Sequence, residues 1–165
     1  MDTFILIGIT GIGLGALYFL VASGLSLIYG LMGVLNFAHG SFLSVGAFVG
    51  YWVATQLGPD VNMPDFILAM IVGGLAAGGF ALIIEQLLIT RLYDRHIDQA
   101  LVTVGVSLVV GALLGGWFGN DLIMFPTPLW FLTAINVGGA MIPADRVVYI
   151  ATAVLLLIAN WALLK

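Results

Sequence analysis

From Thr3 to Pro59 the chain runs for 57 residues without one Asp, Glu, Lys or Arg. An uncharged apolar run of that length holds two bilayer crossings at about 20 residues each. The rest of the chain carries the same character. With 62% hydrophobic and 7% charged residues and a mean hydropathy of +1.22, it lies far from the ~25% charged composition of soluble domains. The sequence is therefore read as an all-α, polytopic transmembrane helical bundle. Its 165 residues give room for about five spans in a single membrane-embedded domain, residues 1–165.

Within the uncharged run, the stretch Tyr29 to Gly46 differs from ordinary lipid-facing sequence. Gly30, Gly33 and Gly40 loosen the helix, and Asn36 and His39 place hydrogen-bonding side chains between them. Polar groups in hydrocarbon must find partners, and broken backbone is tolerated there only when buried in protein or lining a wet cavity. One span is accordingly expected to be discontinuous, as in many transporters whose interrupted helices line the solute path. Asn36 and His39, three residues apart, share one helix face. Two readings stay open for this pair: a solute-contacting or gating site, or a satisfied polar pair that only fixes helix packing.

The remaining chain reads in order as follows. The first span, about Phe4 to Ile28, carries Gly11 and Gly15 as a small-xxx-small pair, and the second, to Leu57, carries Gly46, Gly50 and Ala54 at the same spacing. Such faces let helix backbones approach closely, which association in lipid requires. A turn with Gly58, Pro59, Asp60 and Pro64 follows, with Asp65 placed as N-cap of a third span, about Phe66 to Ile89, that contains Gly74, Gly78 and Glu85. Arg91 and Arg95 then mark a cytoplasmic loop by the positive-inside bias, which puts residues 58–65 outside. The fourth span, about Gln99 to Phe118, lines up Ser107, Gly111, Gly115 and Gly119. From Asn120 to Arg146 the chain is irregular, with Ala134–Val137 and Ala140–Pro143 flanking Gly138-Gly139 as a short hairpin. The fifth span begins near Val147 and reaches Lys165 without a terminating signal, so the sequence is read as truncated at its C-terminus.

Several chemistries are disfavoured. Glu85 lies six residues before Arg91, about 9 Å along a helix, where a structural carboxylate reaches water or a polar neighbour. With a single acidic residue inside a span, proton coupling has little support. The serines sit in no nucleophile motif, and two distant histidines with scattered carboxylates form no metal ligand set, so neither an enzyme nor a metal site is expected. A phosphate-binding loop needs a lysine followed by a hydroxyl residue, and the only lysine is Lys165. No cofactor is expected in this chain. The net charge of −4, with no basic cluster, gives no support to nucleic-acid binding.

The stretch Y-G-L-M-G-V-L-N-F-A-H-G (Tyr29 to Gly40), with Glu85, R-L-Y-D-R (Arg91 to Arg95) and Q-A-L-V-T-V-G-V-S (Gln99 to Ser107), resembles the LivH type of permease from bacterial branched-chain amino acid ABC importers. The resemblance covers most of residues 14–110. It implies a second permease subunit, two cytoplasmic ATPase subunits that bind the ATP, and a periplasmic solute-binding protein facing residues 120–146, all at the bacterial cytoplasmic (inner) membrane. It also implies that Asn36, Phe37, Ala38, His39 and Gly40 lie at the translocation path, with Ser41 and Ser44 next to them. Ser41 departs from the pattern, since many members carry an acidic residue there. Members of the family also continue well beyond this length, through a cytoplasmic loop that docks on the ATPase.

The expected function is thus that of an importer permease for branched-chain amino acids or related small amide or amino-acid solutes. Two alternatives make different demands: a passive channel for a small neutral solute such as urea needs no ATPase, and a non-functional fragment would only pack with other helices.

Overall fold

A computed structural model describes residues 2–58, 61–119, 121–137 and 140–163. Of the residues named above, Pro59, Asp60, Asn120, Gly138, Gly139 and Lys165 lie outside these. Five α-helices follow one another among the described residues: α1 Asp2–Met32, α2 His39–Leu57, α3 Met63–Ile84, α4 His96–Phe118 and α5 Ala144–Leu163. All but α2 are long and apolar enough to cross a membrane. Helix α2, at 19 residues, is diluted by His39, Ser41, Ser44, Thr55 and Gln56. The fold is all-α and polytopic, and the one sheet among the described residues is the expected hairpin, β1 Ala134–Val137 antiparallel to β2 Ala140–Pro143.

Burial is inverted relative to a soluble protein. Ala38, Ala54 and Ala69 are fully buried, whereas Phe4 and Trp117 are 85% exposed. Lipid tails cover such side chains as well as a protein core does, so what goes inside is decided by how closely backbones approach.

The chain folds as two compact units, one of residues 1–26 with 129–165 and one of residues 27–128. In the first, Gly13 of α1 receives Arg146 of α5: a Cβ at Gly13 would lie 3.1 Å from the arginine Cδ. Arg146 pairs with Asp145 at 3.7 Å and lies over the Tyr149 ring at 5.8 Å. Thr133 accepts the Ala144 N–H at 3.0 Å, tying the start of α5 to the turn before β1.

The second unit holds α2, α3 and α4. Helices α2 and α3 cross through Gly46, Gly50 and Gly73. A Cβ on Gly73 would stand 2.5 Å from the Gly46 carbonyl oxygen, and one on Gly50 3.1 Å from that of Ala69. One turn further, Ala54, Val61 and Ala69 form a small core against Val53, Phe66 and Phe125. Phe125 meets Phe66 edge-on at 5.8 Å, and Phe48 packs on Phe118 at 4.6 Å.

Helix α3 begins one residue after Asn62, so Asn62 and not Asp65 is the N-cap. Asp65 sits three positions inside the helix and its carboxylate accepts the Asn62 N–H at 3.3 Å. Pro64 explains the shift: its missing N–H is harmless in the first turn, so the helix starts before it and not after it. At the other end the expected continuous span widens into a π-turn, Glu85–Ile89, then a 3₁₀ turn, Thr90–Leu92. The Thr90 N–H and hydroxyl both donate to the Glu85 carbonyl, the latter at 2.7 Å.

Candidate functional site in the cleft between the second and third helices

Helix α1 stops at Met32 because Gly33 takes φ +66°, a left-handed conformation open to glycine at no steric cost. Residues 33–38 are not helical, and α2 restarts at His39. The interruption therefore separates two helices. Asn36 organises it: its Oδ1 accepts the Ala38 N–H at 3.0 Å, an Asx-type turn that substitutes for a helical bond. The His39 N–H donates to the Asn36 carbonyl at 3.3 Å.

A polar stripe on α4 holds this segment in place. Thr103, fully buried, accepts the Phe37 N–H at 3.2 Å while its hydroxyl donates to the Ala100 carbonyl at 2.9 Å. One turn on, Ser107 lies 3.0 Å from the Ser41 hydroxyl. One turn back, Gln99 is 1% exposed with neither amide atom hydrogen-bonded. Thr103 and Gln99 have no site role in the sequence reading. The signal that reveals them is a polar residue every fourth position, Gln99, Thr103, Ser107, in an otherwise apolar span.

Asn36 and His39 line a cleft of about 260 Å³ together with Ile28, Phe42, Leu43, Ala77, Gly78, Ala81, Glu85 and Ile89. Asn36 is buried and His39 half-buried. Among the described residues neither the His39 imidazole nor the Asn36 amide nitrogen has a hydrogen-bond partner. Glu85 joins them from the π-turn of the third span, a class of helix defect frequent at functional sites. Its Oε1 accepts the Tyr93 hydroxyl at 2.9 Å. That hydrogen bond, then burial and the carboxylate charge, raises the Tyr93 pKa above 10. The phenol therefore stays protonated, and a donor, throughout the neutral range; the bond is lost only as pH rises through that raised value.

The other residues assigned to the path are arranged differently. Ser41 and Ser44 line a second cleft of about 240 Å³, between α2 and α4, with Gly111, Gly115 and Gly119. Ser44 donates to the Gly40 carbonyl at 3.0 Å. Phe37 is 56% exposed and Ala38 fully buried. Gly40 is exposed. The packing glycines also divide. Gly46 and Gly50 meet α3, through Gly73, which was not among them, whereas a Cβ at Gly11, Gly15, Gly74, Gly78, Gly111 or Gly119 would meet nothing within 4 Å among the described residues. Gly119 ends α4 with φ +83°. Arg95 pairs with Asp98 at 3.7 Å on the surface, and among the described residues no cation pairs with Glu85. No group of three metal-ligating side chains exists among the described residues.

Residues 7–165 match the family model described as branched-chain amino acid transport system, permease component. Among curated proteins, the chain is 38% identical over 47 residues to the high-affinity branched-chain amino acid transport system permease protein LivH of Escherichia coli, and equally to that of Salmonella typhimurium. The match covers 28% of this chain and 15% of the relative. It is 35% identical over 49 residues to the permease protein BraD of Pseudomonas aeruginosa, covering 30% of this chain and 16% of that protein. The matched segment thus spans well under two thirds of each relative's length. No solved structure matches. With helices built to cross a membrane and a match over nearly its whole length, the chain belongs to the family of branched-chain amino acid transport system permease components.

Proposed function

We propose that the chain is a membrane-spanning subunit of an ATP-driven ABC importer for branched-chain amino acids or related small amino-acid or amide solutes, and that the interruption at residues 33–38 borders its translocation path. The observation that carries this reading is the α2–α3 cleft, where the His39 imidazole and the Asn36 amide nitrogen, without hydrogen-bond partners among the described residues, stand in an apolar wall. Unpaired polar groups in a membrane-embedded element are costly unless water or a solute meets them. The absence of a phosphate-binding loop in the sequence agrees with ATP being bound by partner subunits. In this reading two cytoplasmic ATPases, a second permease and a periplasmic binding protein complete the importer in the bacterial inner membrane.

The mechanism is alternating access. The interruption and the first turn of α2 are held to α4 by a few polar contacts, Thr103 with the Phe37 N–H and, at 3.5 Å, the Leu35 carbonyl, and Ser41 with Ser107, each worth about 1 kcal/mol net or less. A shift of α4 against α2 exchanges these few bonds without unwinding a helix, so the path opens at modest cost. His39→Leu should reduce leucine uptake by the assembled transporter about tenfold or more while membrane insertion stays at the wild-type level. Leucine accumulation that survives ATP depletion, or normal uptake by H39L, would sink the proposal.

A further inference from the structure

Three polar groups face the α2–α3 cleft without full use of their hydrogen-bonding capacity. Glu85 gives Oε1 to Tyr93, and Oε2 has no partner among the described residues. Asn36 uses its oxygen in the Ala38 turn, which fixes the orientation of the amide and leaves its NH₂ as a free donor. The imidazole of His39 is the third. The rest of the wall is apolar, with Ile28, Phe42, Leu43 and Ile89 on it. At about 260 Å³ the cleft lies just below the ~300–1,000 Å³ of drug-sized sites, a volume for a solute of amino-acid size.

From this we propose that the cleft is a binding site for an aliphatic α-amino acid, in which Glu85 recognises the ammonium, Asn36 and His39 the carboxylate, and the apolar wall the side chain. The inference deepens the importer reading and rests on it. It gives Glu85 a role in specificity beyond the structural one that its position near a helix end indicates. A carboxylate with no cationic partner, set in an apolar wall, favours a ligand that brings a positive charge and supplies a charge-assisted hydrogen bond. A neutral amide such as urea brings none. The Tyr93 hydroxyl keeps the carboxylate oriented while leaving the second oxygen to the ligand. Gly78 is also on the wall, and a Cβ there would meet nothing within 4 Å, so a larger side chain at this position enters the cleft and not a neighbour.

The test is equilibrium binding to the full chain in lipid nanodiscs, with three probes that share the isobutyl side chain: L-leucine, isoamylamine, which lacks the carboxylate, and 4-methylpentanoate, which lacks the ammonium. Wild-type protein should bind leucine and, more weakly, isoamylamine. Glu85→Gln should weaken both by about tenfold or more, the loss of one charge-assisted bond, and leave 4-methylpentanoate unchanged. Gly78→Leu should abolish leucine binding, and Glu85→Asp should retain part of it. Equal leucine affinity in the wild type and in a folded, normally eluting E85Q variant overturns the role of Glu85. If wild type and G78L bind leucine alike, the cleft is not the site. Either result leaves ATP-driven uptake by the assembled importer standing, whereas loss of that uptake's ATP dependence would overturn the importer reading without bearing on Glu85.

Discussion

Gln99 shows how a side chain can be buried against its own chemistry. Its amide is 1% exposed and makes no hydrogen bond, yet it stands one turn from Thr103, which is fully used. An unsatisfied buried amide costs about 1–3 kcal/mol, and replacing it by an apolar group of similar size removes that cost. Gln99→Leu should therefore raise the thermal unfolding midpoint in detergent; a lowered midpoint would mean that the amide has a partner in the folded protein. Asn36 is the opposite case. Its side chain replaces a missing backbone bond of the interruption, so its removal strips a bond from the turn as well as a donor from the cleft. The sequence singles out Asn36 and His39 because polar residues between glycines in an uncharged run demand an explanation. Glu85 is equally visible there, but its place beside them is not, because it lies 46 positions after His39 and only the pairing of α2 with α3 brings them to one cleft.

Among the elements, the crossing of α2 and α3 decides which of many glycines matter. Gly73 and Gly74 are neighbours in sequence and indistinguishable by type. A Cβ on Gly73 would press the Gly46 backbone at 2.5 Å, and one on Gly74 would meet nothing within 4 Å. Gly73→Ala should destabilise by about 1–3 kcal/mol, the usual cost of overpacking. Gly74→Ala should be neutral or stabilising by up to about 1 kcal/mol, since alanine is the better helix former. Comparing the two unfolding midpoints in one detergent checks both, and equal values would contradict the crossing. The small-xxx-small spacing indicates that α2 has a close-contact face, and the contact occurs. Spacing alone could not say that Gly11, Gly15 and Gly111 meet no other helix among the described residues. The π-turn at Glu85 was likewise illegible, because it arises from one surplus residue in the helical ladder and leaves no compositional mark.

For the molecule as a whole, the distribution of charge bears on how the chain sits in the bilayer. Arg91 lies in the last turn of the third span, Met63–Leu92, Arg95 just beyond it, and Asn62 caps its start. The positive-inside bias predicts that the arginine end is cytoplasmic. Single cysteines at Asn62 and Asp94 should then react with a membrane-impermeant thiol reagent from opposite sides, in a chain that has no native cysteine to interfere. Labelling of both from the same side would overturn the topology.

By itself, the sequence determined that this protein is helical and embedded in lipid, because an uncharged run of 57 residues leaves water no part in its folding. It also determined where the helix must fail, since glycine and buried polar side chains act locally, within a turn or two of chain. The tertiary structure decided what stands around that failure: Thr103 pinning it, Glu85 facing it, Ser41 and Ser44 turned to a different cleft. Those relations depend on which faces of α2, α3 and α4 meet. In lipid that choice is made by backbone approach to within a few tenths of an ångström, a quantity that hydrophobicity along the chain does not encode.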